Sequence, residues 1–312
     1  MQDNTERRRW LRAQADLARL QPQQARGDAA DGAPTEAHAD VPAGASDTRK
    51  AKLVDPASRR TGPPPPVPAL DVARVEPLLL TTVQITTLLG DFVKTRASGF
   101  FFRRNDRLFL VTSRHVLFDG ETSHLPDAID IDIHTAAGDL GRSARVRLPL
   151  YDKGRGLWRQ GRDAGGDIDV AMLEVPRALL PPTAVLHAFG PEHLLPTLDD
   201  AEAGQAVLLV GFPLGFHDTL HHLPVVRHAI IASSFGLRFQ GQGCFLTDGR
   251  AHRGSSGAPV VMRSASQGAA LPWKLLGVHS SRFDMGSRDM TQDESLGLNC
   301  AWYADILMTL TE

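Results

Sequence analysis

The sequence predicts an all-β protein, a sandwich or a pair of barrels, behind an N-terminal arm with no fold of its own. Three observations carry this reading. From about residue 78 onward the apolar residues fall in short runs or in strict alternation, the period-two pattern of strands. Turn signals separate these runs at short intervals. Residues 1 to about 75 are instead rich in Ala, Arg, Asp, Gln and Pro and nearly empty of Ile, Val and Phe, so they cannot bury enough apolar surface to offset their ordering entropy.

The strands justify themselves in order. Val83-Gln84-Ile85-Thr86 alternates. Gly99-Phe100-Phe101-Phe102 and Leu108-Phe109-Leu110-Val111 flank Asn105-Asp106, a hairpin signal. Ile129-Asp130-Ile131-Asp132-Ile133 alternates strictly, which predicts one buried and one wet face, and Arg145-Val146-Arg147-Leu148 does the same. Further strands are expected at Val207-Leu208-Leu209-Val210, Cys244-Phe245-Leu246, Pro259-Val260-Val261-Met262, Leu275-Leu276-Gly277-Val278 and from Leu296 to Trp302. Ala304 to Thr311 reads as one short closing helix. No repeat of fixed period is present.

Bulk composition narrows the function classes. Thirty-four basic against 36 acidic residues leave a net charge of −2, which gives no electrostatic reason for a nucleic-acid partner. Two cysteines, Cys244 and Cys300, are fewer than a disulfide-stapled secreted domain carries; whether they pair is open. The N-terminus lacks the continuous apolar core of a secretory signal, and no run of about 18 apolar residues occurs, so a cytoplasmic protein without a transmembrane segment is expected. The arm, taken as 1–77, ends in a polyproline spacer at 62–68. Its Trp10, Leu11, Leu17 and Leu20, set among Arg7, Arg8, Arg9 and Arg12, suit either a docking helix for a protein partner or membrane surface, or a solvated tail.

The chemistry concentrates in Gly254-Ser255-Ser256-Gly257-Ala258-Pro259, a tight turn before an apolar strand. Glycines there let the backbone expose one hydroxyl and aim N–H groups at a common point, the pairing acyl transfer needs. The Gly-x-Ser-x-Gly spacing of an α/β-hydrolase elbow is absent.

This stretch resembles the Gly-x-Ser-Gly-Gly-Pro nucleophile loop of the trypsin-like (chymotrypsin-fold) serine peptidases, with Ala258 in place of the second usual glycine. Thr247-Asp248 and the approach that follows are closer to the bacterial high-temperature-requirement branch than to digestive trypsins. Leu110-Val111-Thr112-Ser113-Arg114-His115-Val116 resembles the family segment that presents the general base, and Asp169-Val170-Ala171-Met172-Leu173 resembles its Asp-Ile-Ala-Leu-Leu strand. The resemblance implies His115 as base, Asp169 as the carboxylate that orients it, with Asp167 as rival, and Ser256 as nucleophile. The N–H groups of Gly254 and Ser256 would form the oxyanion hole. His, Asp and Ser also follow one another in that family's order.

Gly211-Phe212-Pro213-Leu214-Gly215 resembles the turn opening the second barrel, and Leu276-Gly277-Val278-His279-Ser280-Ser281 the strand that pairs with bound peptide, Ser280 lying near Asp169. By the same resemblance, Arg250 falls where the base of that family's primary specificity pocket would lie. Pointing inward it would attract a carboxylate; pointing outward it would leave the pocket to Ser281 and Asn299.

The resemblance spans about 78–312 and implies two antiparallel six-stranded barrels, about 78–190 and 191–305, with the site between them and a short C-terminal helix, without a PDZ domain. It implies an endopeptidase acting on polypeptide, with no cofactor and no metal. His217, His221 and His222 cluster, with His228 beyond; His217 and His221 have a spacing that would suit a metal on a helix, but Pro213, Gly215 and Pro224 make this segment a loop. Two rival readings are a non-catalytic binding module that keeps the fold, and a self-processing protease whose arm is its own substrate.

Overall fold

The computed structural model describes residues 69–264, 269–284 and 295–312. Most of the arm, with its candidate docking helix, lies outside these residues. Its last part does not behave as an arm. Leu70, Val72 and Val75 pack against Leu80, Leu140 and Leu223, and Val72 N–H donates to Ala137 O (2.8 Å). The physical reason is local: three apolar residues within six positions suffice to cover a small satellite core.

Strands β1 (Thr82–Leu89), β2 (Phe92–Arg104) and β3 (Arg107–Thr112) form a meander, and a single helical turn, α1 (Arg114–Leu117), follows. Then come β4 (Ala128–His134), β5 (Ser143–Pro149), a small hairpin of β6 (Tyr151–Asp152) and β7 (Arg155–Gly156), β8 (Trp158–Asp163) and β9 (Gly166–Glu174). The β2–β3 turn places Asn105 and Asp106 at φ +50° and +61°, the tight geometry for which these residue types are suited.

The second half contains β10 (Ala206–Gly211), β11 (Val225–Ile231), β12 (Cys244–Asp248), β13 (Pro259–Arg263), β14 (Trp273–Asp284) and β15 (Ser295–Tyr303), then α2 (Ile306–Leu310). These six strands close a barrel in the order β10-β11-β12-β15-β14-β13. The first half differs from the expected six-stranded barrel: seven strands pair in the order β5-β4-β1-β2-β3-β9-β8. Strand β8 had no apolar signature to announce it, since Arg159, Gln160 and Arg162 interrupt it; pairing with β9 defines it.

Strand alternation distributes the core. Phe101 and Leu110 point into the first sheet's interior with Val116, Leu117 and Ile131. Phe100, Phe102 and Phe109 point the other way, into a core shared with Val210, Val278 and Trp302 of the barrel. Strand β2 is therefore apolar on consecutive residues because both its faces are covered. Phe245, Val260 and Ala301 fill the barrel itself. The expected wet face of β4 is only partly wet: Asp130 is buried, and Arg147 pairs with it through Nε at 2.8 Å. Cys244 and Cys300 are free and buried, and the hydrogen bond with Cys244 and burial both raise the Cys300 thiol.

This packing predicts a contrast between two phenylalanines of one strand. Phe101→Ala, at a fully buried position, should lower stability in urea by about 3–5 kcal/mol. Phe92→Ala, 79% exposed, should change it by no more than about 0.5 kcal/mol.

Candidate active site

The site begins with Ser113, the residue between β3 and α1. Its hydroxyl donates to His279 O (3.0 Å) across to the barrel. Val116 and Leu117 bury themselves in the sheet interior. Held at both ends, the turn projects His115 from the core's edge. On β9, alternation sends Ile168, Val170 and Met172 to the shared core, leaving Asp169 on the opposite face beside α1.

There the Asp169 carboxylate receives three hydrogen bonds. His115 gives two: its main-chain N–H to Oδ1 (2.9 Å) and its Nδ1 to Oδ2 (2.7 Å). The third comes from Ser280 Oγ to Oδ2. Burial pulls the His115 imidazole down, but the hydrogen bond to Asp169 and its charge outweigh this, and the pKa lies above the ordinary histidine value. Burial likewise raises Asp169, yet the bonds from His115 and Ser280 leave it below the usual carboxylate range. The rival Asp167 is half exposed and sits 3.7 Å from Arg162.

The serine loop is assembled on the first sheet by a residue that sequence reasoning missed. Ser98 of β2 is fully buried. Its Oγ donates to Gly254 O (2.7 Å) and accepts from Phe212 N–H (2.9 Å), and its N–H donates to Ser256 O (2.9 Å). The signal available in sequence was a lone serine between apolar residues in a strand, too common to stand out. Gly254 and Gly257 have φ of +91° and +84°, conformations that glycine alone adopts without cost. A Cβ at Gly257 would also collide with Ser98 O and Thr112 Oγ1.

Ser256 Oγ donates to Ser280 O (3.1 Å), not to His115. Both residues line one cleft of about 680 Å³. Among the described residues, the N–H groups of Gly254 and Ser256 have no protein acceptor. They are available to an oxygen outside the fold. Ser255, by contrast, is buried, its N–H bonded to His252 O (3.0 Å).

The remaining residues assigned to substrate binding divide. Ser281 is exposed at the end of the β14 segment that leaves β13. His279 and Asn299 belong to the scaffold instead. His279 is 2% exposed, its carbonyl takes Gly257 N–H (2.7 Å), and its N–H donates to Ala258 O (2.9 Å). Burial, with His115 nearby, lowers its imidazole to about 4, so it is neutral at neutral pH. Asn299 is buried, and its amide donates to Thr247 O, Gly249 O and Gly297 O. Arg250 is exposed just beyond β12 and does not line the cleft. In the histidine loop, His217 Nδ1 donates to Gly215 O (2.6 Å) and His221 Nδ1 pairs with Asp218 Oδ2 (2.7 Å).

A family model described as "Trypsin-like peptidase domain" matches residues 97–268. No curated protein matches the chain. Among solved structures, the chain is similar to an HtrA-type protease, AlgW, in a serine-to-alanine form with a tripeptide. The identity is 18%, the coverage 77% of this chain and 60% of that one, and the TM-score 0.46. It is similar to a serine endoprotease from Yersinia pestis (16% identity, 77% and 63% covered, TM-score 0.45). It is also similar to the inactive form of Rv3671c from M. tuberculosis H37Rv, again a serine-to-alanine mutant (16% identity, 79% and 94% covered, TM-score 0.41). The chain spans less than two thirds of the first two structures.

Ser98→Ala tests the clamp. It leaves Gly254 O and Phe212 N–H buried without their partner, which should cost about 1–3 kcal/mol in urea unfolding. Ser98→Thr, which keeps the hydroxyl, should restore part of it if the hydrogen bonds and not the cavity matter.

Proposed function

The chain belongs to the trypsin-like peptidase domain family, and on that premise we propose that it is a serine endopeptidase with His115, Asp169 and Ser256 as its triad. The observation that carries the proposal is the doubly bonded His115–Asp169 pair, whose histidine lines one cleft with Ser256. Asp169 accepts from Nδ1, so Nε2 of the neutral ring is the nitrogen without a proton, the tautomer a general base requires.

In the proposed reaction, His115 Nε2 takes the Ser256 hydroxyl proton as Oγ bonds to the scissile carbonyl carbon. The carbonyl π electrons move onto oxygen, which the N–H groups of Gly254 and Ser256 stabilise. Collapse breaks the C–N bond, and His115 passes its proton to the leaving amine, giving an acyl-enzyme and a free C-terminal fragment. Water then adds to the ester, its proton goes to His115, and Ser256 departs with that proton to restore the enzyme. The step requires Ser256 Oγ to rotate from Ser280 O toward His115, a rotation about one side-chain bond between staggered wells.

That same orientation favours a second reading, a protease-fold binding module, and Ala258, buried in the loop, is compatible with it. A fluorophosphonate probe separates the two. Labelling of wild type and Ser255→Ala, abolished in Ser256→Ala, is the expected outcome for an activated nucleophile; an unlabelled wild type supports the binding module.

Two pH predictions follow from the charges. His115 must be neutral to accept a proton, and its pKa is raised. The acid limb of kcat/KM should therefore have its midpoint above the ordinary histidine value of about 6.5. Asp169→Asn removes the charge that raises it, so the limb should shift to lower pH while kcat falls by roughly 10⁴. A limb that does not move would separate Asp169 from the titration.

A further inference from the structure

The cleft that holds His115 and Ser256 carries an uneven charge. Its lining includes Lys94, Arg96 and Arg253 against a single carboxylate, Asp119. All three cations are exposed, and among the described residues none has an ion-pair partner. Asp119 is occupied: its carboxylate accepts Glu121 N–H (3.1 Å) and Thr122 Oγ1 (2.6 Å).

The backbone aims these cations at the cleft. Lys94 is the extra residue of a bulge in β2, since Thr95 pairs with Thr87 but Val93 with Leu88. Bulges re-aim side chains in this way and recur beside active sites. Arg96 alternates onto the face of Ser98, and its Cδ approaches Gly215. Arg253 immediately precedes Gly254, and its carbonyl accepts Leu214 N–H. Exposed Val93 and Leu214 line the same cleft.

Position on the site decides which part of a substrate meets these charges. His115 would protonate the leaving amine, so the segment released first starts at His115. Val116, Asp119 and His124, which follow His115 in the chain, line the same cleft. Ser280 and Ser281 do not. Resting on the peptidase reading, we propose that the cleft selects polypeptides carrying Asp or Glu within the first three residues after the scissile bond, with Lys94, Arg96 and Arg253 as the specificity-determining residues.

The test uses the full chain and internally quenched peptides with amidated C-termini, each compared as Glu against Gln at one of those three positions. Exposed charge pairs are individually weak, and three acting together should give a preference for Glu of about ten-fold in kcat/KM. That preference should shrink toward unity at about 1 M salt, where screening length falls to ~3 Å. In the double variant Lys94→Glu/Arg96→Glu it should reverse, favouring Lys over Gln. Reversal is a gain that a misfolded variant cannot mimic. A peptide with Gln throughout and a free C-terminus tests the other source of a carboxylate. If only that peptide is preferred, the cleft reads a chain end and the proposal is wrong.

Equal rates for Glu and Gln, or a preference that survives charge reversal, also overturn it, while leaving the peptidase reading intact. If wild type is neither labelled by fluorophosphonate nor cleaves any peptide, the peptidase reading fails and the specificity falls with it.

Discussion

A carboxylate taken out of water must be repaid by hydrogen bonds and opposite charge, and Asp169 obtains these from both halves of the molecule. His115 supplies two bonds from the first sheet's edge, and Ser280 supplies one from the barrel. Separating the halves would leave a buried charge short of a donor, which is among the costliest defects a fold can carry. The site is thus also a junction, and the shared core of Phe100, Phe102, Val278 and Trp302 provides the apolar counterpart of the same contact.

Ser98 extends this junction to the Gly254–Gly257 loop. The loop hangs between β12 and β13, but its carbonyls at Gly254 and Ser256 are held by β2. Gly257 lies so close to Ser98 and Thr112 that no larger residue fits. The loop's shape is therefore imposed by the first sheet, although its strands belong to the barrel. The Ser256 hydroxyl donates to the Ser280 carbonyl. On the proposed reading, a loop fixed in this way would favour differential stabilisation of a transition state over a ground state.

Ser280 has a double part in this arrangement. Its hydroxyl satisfies Asp169 while its carbonyl accepts the Ser256 hydroxyl, so one residue bonds to both. His279 beside it is a neutral, buried imidazole. A second positive charge next to His115 would lower its imidazole, and burial keeps His279 neutral.

What the sequence determined by itself was whatever local pattern encodes. Alternation and turn residues placed the β2–β3 hairpin at Asn105-Asp106 and most strands of the barrel. The Gly254-Ser255-Ser256-Gly257 turn and the residues around His115 and Asp169 carried enough local identity to be singled out. Strand β8 was illegible because its residues are mostly polar, and the docking of residues 69–77 because so short a segment carries little periodicity. Only the tertiary structure decided that Ser98 clamps the loop, that His279 and Asn299 are scaffold, and that Lys94, Arg96 and Arg253 share one cleft. These depend on residues distant in the chain; Ser98 and Gly254, for one, are 156 positions apart. Contacts of that kind arise from how strands pair and cross, and a local pattern holds no record of which distant strand will lie alongside it.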